Sequence, residues 1–378
     1  MLSLQQAQTH LDQAKQLTEQ GKYPEAMELL EQAAPIFEAA EEWEGYVQCL
    51  NVQSYSLYCV GEYDAGVAKA GMALQICLSR HDNEHHDTAG SYQNLAICYM
   101  GKGDYNQAIA HCQQALTIFL VTIGEQHLNT ADMYNNMGFC YSLKSDDTQA
   151  IAYHQQALNI RLAALGEQHP DTASCYHNLG GGYLDKGDYT QAITYLQQAL
   201  TIRLATIGKK HLETAQSYYN LAQLHHLQTQ YPQALHYHQQ ALQSLALDVP
   251  NDDYYPLPKL AGYNSAVYLL ETIPAKATTF TALYHQNNTP QDLSAALAHY
   301  QCADELIDQM RQSYKTEGSK LTLAEKGKTK VYDAGLAALL TGESVHQVSG
   351  FQLAEAQVFE LEVFALGLAK RSAKFIPH

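Results

Sequence analysis

Between Asp87 and Leu242 the sequence copies itself at a fixed interval, and this constrains the fold more than any single motif. Asn94, Asn136, Asn178 and Asn220 stand 42 residues apart, each followed by Leu or Met and then by Ala or Gly. Thr88-Ala89, Thr130-Ala131, Thr172-Ala173 and Thr214-Ala215 keep the same step, as do Tyr92, Tyr134, Tyr176 and Tyr218. A period of this size marks a stacked-repeat architecture, in which one small unit buries its apolar face only against its neighbours. Repetition builds a surface rather than a reaction centre, so the pattern points to a mode of action before it points to a partner.

Four clear repeats begin near residues 87, 129, 171 and 213, and each reads as two helices. The first carries Thr-Ala-x-x-Tyr-x-Asn-(Leu/Met)-(Ala/Gly). A turn comes next, at Gly103-Asp104-Tyr105, Ser145-Asp146-Asp147, Gly187-Asp188-Tyr189 or Thr229-Gln230-Tyr231. The second helix contains Gln-Ala and then Gln-Gln-Ala-Leu. In the connection Gly166-Glu167-Gln168-His169-Pro170-Asp171-Thr172, Gly166 suits a helix C-terminus and Asp171 (with Asn129 and Asp87 in register) suits an N-cap. Upstream, residues 3–19 form a helix that stops at Gln20-Gly21-Lys22, and Pro24 sits in the first turn of the next. Tyr46 to Cys59 and Ala65 to Leu78 are a degenerate copy with Val52 in place of the asparagine.

Small residues at positions 96, 138, 180 and 222 and at 108, 150, 192 and 234 fall where paired helices approach closely. This unit resembles the tetratricopeptide repeat, whose usual length is about 34 residues. The 42-residue form with Gly-Glu-Gln-His-Pro-Asp-Thr-Ala and Asn-Leu-Gly is similar to the kinesin light chain type, over roughly residues 83–245. The resemblance implies an all-α, right-handed superhelical solenoid of antiparallel helix pairs. It divides the chain into degenerate repeats over 1–82, four regular repeats over 83–247, an irregular helix pair over 248–315 and C-terminal helices over 316–378.

In the irregular region, Leu257 to Thr272 reads as helical, Pro274 and Asn287-Asn288-Thr289-Pro290 interrupt the adjoining stretch, and Asp292 to Tyr314 is a strong helix. Further helices are expected from Lys320 to Leu340 and from Gln352 to Phe375. The segment from Ala303 to Lys326, with Ala369-Lys370-Arg371-Ser372-Ala373-Lys374, resembles the helices that join tetratricopeptide arrays to a CHAT peptidase-like domain. Such a domain, with its His/Cys pair, would come after position 378. The resemblance implies an array-only relative or one part of a longer chain, and in the latter case a sensor arm of a CHAT-type peptidase system.

The formal net charge of −17, without any basic block, disfavours nucleic acid, since phosphate binding depends on clustered cations. An acidic surface favours solubility and cationic partners. The N-terminus lacks the charged start and apolar run of a secretory signal, and no apolar run of about 18 residues suggests a membrane span. Eight cysteines form no CxxC pair and fall among apolar residues, as expected of reduced thiols in a cytoplasmic protein. Of the 18 histidines, His85, His127, His169 and His211 share one loop position, while His225-His226 with His236 and His238 is a compact cluster without ligand-spaced Cys or carboxylates. Cys175 and His177 lie two apart on a helix and point to different faces. No phosphate-cradling motif exists, because Gly180-Gly181-Gly182 lies inside a helix. That run marks either a flexible point or a place where a ligand backbone comes close. No enzyme activity, metal or other cofactor is expected.

The partner expected is a protein or peptide, and the oligomeric state, a homo-oligomer included, stays open. The candidate contacts are the asparagines. An Asn side chain both donates to and accepts from an extended backbone, each bond contributing about 1 kcal/mol net. The kinesin light chain resemblance carries a peptide-facing role to Asn94, Asn136, Asn178 and Asn220; the alternative is that they brace a neighbouring helix. Asn135, His177, Tyr219 and Gln223 share that face and would tune preference. Arg161 and Arg203, with Phe119 in register, read as salt-bridge positions rather than ligand contacts.

Overall fold

The computed structural model describes residues 3–80, 85–246, 249, 254–260 and 265–313. These contain fourteen helices and no strand: α1 (Leu4–Glu19), α2 (Tyr23–Ala39), α3 (Trp43–Cys59), α4 (Tyr63–Arg80), α5 (His86–Lys102), α6 (Tyr105–Thr122), α7 (Leu128–Leu143), α8 (Asp147–Leu165), α9 (Pro170–Asp185), α10 (Tyr189–Thr206), α11 (Leu212–Leu227), α12 (Tyr231–Leu245), α13 (Ala266–Asn287) and α14 (Pro290–Ser313). The helices expected at 320–340 and 352–375, and most of the CHAT-like joining segment, lie outside the described residues. Two compact units are present, residues 1–195 and residues 196 onward.

In the first unit the three regular helix pairs, α5/α6, α7/α8 and α9/α10, are each made by a turn of recurring chemistry. Gly103 ends α5 at φ 79°, a left-handed conformation that glycine adopts without a Cβ clash. Asp104 then accepts the Gln107 N–H at 3.2 Å and caps α6; Asp146 on Gln149 and Asp188 on Gln191 repeat the bond at the same distance. Ser145 holds the left-handed position at φ 58° without glycine, a cost of about 1 kcal/mol or more against a glycine there.

The joint between successive pairs is more particular. Gly124 and Gly166 turn left-handed, and their carbonyls accept the Thr130 and Thr172 hydroxyls at 2.9 and 2.8 Å. His127 and His169 are the N-caps: each Nδ1 accepts the backbone N–H two residues on, from Asn129 at 3.2 Å and Asp171 at 3.1 Å. His85 does the same for Asp87 in the first unit, and His211 for Glu213 in the second. The expectation that Asp87, Asn129 and Asp171 are the caps is therefore corrected by two residues. An imidazole Nδ1 presents a lone pair at the reach of an Asn oxygen, which frees the following acid to sit in the first turn against the helix dipole.

Packing keeps the same register. In the regular pairs the second helix inserts one ring between two rings of the first. Tyr153 lies 6.2 Å from Tyr134 and 5.4 Å from Tyr141. His111 stacks between Tyr92 and Tyr99, and Tyr195 between Tyr176 and Tyr183. Small residues permit the approach: Ala96, Ala108 and Ala150 are fully buried, and a Cβ on Gly138 would stand 2.7 Å from the His154 ring. Successive first helices also touch each other directly, α1 with α3, α3 with α5, α5 with α7 and α7 with α9.

The second unit keeps the pattern through α11 and α12, where Tyr237 lies between Tyr218 and His225. Its irregular pair is α13 with α14. The expected helix over 257–272 is replaced by non-helical backbone at 257–260 and a helix that begins at Ala266, and Pro274 sits inside α13 rather than breaking it. Proline removes one helical donor, but Leu269, Ile273, Ala277 and Phe280 are buried on one continuous stripe of α13. That burial outweighs the missing bond. Asn288 at φ 56° ends α13, and Pro290 opens α14 where its absent N–H is not needed.

Two outcomes are expected. His169→Ala should destabilise by about 1 kcal/mol and His169→Asn should restore most of it, read from urea midpoints at pH 7. His154 is buried, and burial together with the Arg161 charge pushes it down to about 4. Its unfolded counterpart, near 6.5, binds a proton first, so stability should fall as pH drops from about 6.5 to 4. His154→Leu, the residue in register at 196, should lessen that slope by up to about one proton; an unchanged slope would assign the pH dependence elsewhere.

Candidate functional site

The eight positions singled out from the sequence all lie on the first helices of their pairs and are all half-buried. Asn94 sits on α5, Asn135 and Asn136 on α7, His177 and Asn178 on α9, and Tyr219, Asn220 and Gln223 on α11. In the first unit the asparagines reach across to the preceding first helix. Asn94 Nδ2 donates to the Asn51 carbonyl of α3 at 3.1 Å, and Asn178 Nδ2 donates to Asn135 Oδ1 of α7 at 2.9 Å. Two rungs thus act as braces, which fixes the amide plane. Asn136 has no hydrogen-bond partner among the described residues.

Other residues join this face that the repeat reading did not single out. Asn51 stands in register with Asn135, two repeats earlier, and accepts the Ser91 hydroxyl at 3.2 Å. Tyr55 and Phe139 share the position one turn beyond the asparagine and are 41% and 44% exposed. Large apolar side chains at matching exposed positions are the missed signal. They were visible as a register but not as exposure. In the second unit Gln223 hydrogen-bonds the Tyr219 hydroxyl, which burial and then the Glu271 charge push upward.

A tetratricopeptide repeat family profile matches residues 87–163, 130–205 and 179–246 in overlapping windows. Residues 87–246 are tetratricopeptide repeats. Among solved structures, the chain is similar to the apo form of RapI, with 15% identity over 81% of this chain and 99% of that one and a TM-score of 0.55. It is also similar to NprR in complex with its cognate peptide NprX, with 14% identity over 95% of this chain and 97% of that one and a TM-score of 0.55. A putative kinesin light chain with TPR-like repeats from Podosopora anserina matches at 21% identity over 55% of this chain and 99% of its own, with a TM-score of 0.47. No curated protein sequence matches significantly.

Within the tetratricopeptide array the arginines are structural. Arg161 Nη2 pairs with Asp132 Oδ1 at 2.6 Å, and its Nη1 donates to the Asp171 carbonyl at 3.1 Å, tying α8 to α7 and α9. Arg203 Nη2 lies 3.3 Å from Glu213 Oε2 and its Nη1 donates to the Ser217 hydroxyl at 2.8 Å, tying α10 to α11. Phe119 fills the same register without a charge and packs against His86. Cys175 is fully buried, and burial raises its thiol against the pull of Arg161. No group of three or more metal-ligating side chains occurs among the described residues, nor any helix long and apolar enough to cross a membrane.

The triple glycine divides by position. A Cβ on Gly182 would meet Ile151 at 3.0 Å, so this glycine lets α9 approach α8. Gly181, in register with Phe139, would meet nothing within 4 Å. Gly181→Ala should therefore raise stability by about 0.5–1 kcal/mol, measured by denaturant unfolding. A loss of stability would mean that this stretch of α9 is not helical in solution.

Proposed function

We propose that this chain is a non-catalytic scaffold that holds an extended protein segment along the first-helix face of its tetratricopeptide array. The observation that carries this reading is Asn136. Its half-buried amide makes no bond to the described protein, Phe139 is exposed one turn further along α7, and the neighbouring Asn178 amide is held rigid by Asn135. An amide with both donor and acceptor available beside an exposed ring suits a peptide backbone with an apolar side chain. NprR, which shares the fold, is described in complex with a peptide, and this supports a segment-binding role here without specifying the sequence bound. Within the second unit, taken by itself, Tyr219, Asn220 and Gln223 hold the corresponding first-helix positions and are candidate contacts.

The test uses a peptide selected from a random display library on the full chain. Asn136→Ala with Asn178→Ala should weaken that peptide by about tenfold or more, since each lost amide bond is worth about 1 kcal/mol. Asn94→Ala, whose Nδ2 is spent on α3, should lower stability with a smaller change in affinity. Equal affinity in the double variant and the parent would remove the asparagines from the site.

A further inference from the structure

Charge is unevenly placed in the first unit. Residues 1–195 hold 23 Asp and Glu against eight Lys and Arg. These residues fall on the first helices, in the turns and joints, and on α2, which carries Glu25, Glu28, Glu31 and Glu38. The second helix α6 has no charged residue at all. In α8 the only two are Asp147, at its first position, and Arg161, whose guanidinium turns inward to Asp132 and to the Asp171 carbonyl.

The outer side of these two helices ends in apolar residues. Leu120 and Val121 of α6 are 41% and 64% exposed, and Leu78, in register with Leu120 on α4, is 44% exposed. On α8 the matching residues are Leu162, half-buried, and Ala163, exposed. The remaining exposed residues of α6 and α8 are Asn, Gln, Thr and Ala. All three helices lie within the first unit. They are second helices, whereas the asparagines sit on first helices, so this ridge is separate from the face assigned to the ligand.

An uncharged apolar ridge on a chain of net charge −17 discriminates between partners. A cationic protein is drawn by the long-range field to the acidic remainder of the surface and gains nothing here. A second copy of the chain is repelled wherever acidic faces meet, and comes close only where neither surface carries charge. The cores of protein interfaces are depleted of charged residues in the same way. Two helices, each about 27 Å long and roughly 10–12 Å across, present a footprint on the order of 600 Å² before side-chain relief is added, near the roughly 800 Å² per partner of a stable interface. We propose that two copies of this chain associate through the ridge of α6 and α8. A two-fold axis then lays the leucine row of one copy against the same row of the other.

Sedimentation equilibrium of the full chain, across micromolar concentrations and at low and high salt, tests this. A reversible monomer–dimer equilibrium is expected. Salt should tighten it severalfold, because only the repulsion between the acidic remainders is screened. Val121→Glu and Ala163→Glu, one on each helix, should each weaken the dimer by about tenfold or more with a nearly unchanged unfolding midpoint, since each would bury unpaired carboxylates at the interface. Val121→Leu should keep the dimer. Leu227→Glu, which adds the same charge at another exposed leucine, on α11 of the second unit, should leave association as it is. A chain that stays monomeric overturns the inference, and so does a dimer that salt weakens or that survives both glutamates. An equal loss in Leu227→Glu would trace the effect to net charge alone and overturn it as well.

Discussion

The joint between one helix pair and the next sets everything that recurs in this protein. A left-handed glycine stops the second helix, a threonine hydroxyl returns to that glycine's carbonyl, and a histidine Nδ1 caps the first helix of the next pair. The bonds are local, and each is worth about 1 kcal/mol, little beside the apolar area buried in the stack. Their importance is geometric. Because the cap position is the same before α5, α7, α9 and α11, these first helices begin at the same place in the repeat. The ring of each second helix then meets the two rings that bracket it. The asparagine also stands 43 residues from its acceptor, close enough for Asn94 and Asn178 to bond the preceding first helix.

From this regularity comes a division of labour along each first helix. The side facing its own partner carries the aromatic bracket, Tyr134 and Tyr141 around Tyr153 for example. The side facing the preceding first helix carries the polar row. The row serves two ends at once, since an amide spent on a neighbour keeps its remaining oxygen at a fixed angle. Where the brace is missing, as at Asn136, the whole amide is free. If the proposed segment is captured on this face, its braced amides are in place beforehand, so less entropy is lost than at a loop-built site.

The repeat period, the small residues at helix crossings and the structural arginines were legible, because each recurs in phase and recurrence separates a rule from an accident; Asp104, Asp146 and Asp188 recur too, but read only as turn residues and not as the caps they are. The misread features lack that property or hide behind it. His85, His127, His169 and His211 recur, but histidine is seldom a cap, so the neighbouring acids drew the assignment. Pro274 occurs once, and its local rule was overridden by the buried stripe of α13. The asparagine braces depend on which way an amide turns, and nothing in the letters fixes that. Lys276 and His299 occur once, in the irregular pair, and sequence alone could not show that they meet His238.

Position 238 shows how one register position takes different meanings. In the preceding repeats the same place holds Cys112, His154 and Leu196. His154 is accommodated by Gly138, whose missing Cβ leaves room for the ring, so this histidine is a packing solution with its pH dependence as a by-product. His238 lies beside an irregular pair, where its ring meets Tyr219 edge-on and burial, together with the Lys276 charge, holds it neutral. Leucine at 196 shows that the position needs no polar group, and Nδ1 of His154, like both ring nitrogens of His238, is buried without a hydrogen bond. Burying His238 and His299 costs stability of the same kind that burying His154 costs two repeats earlier.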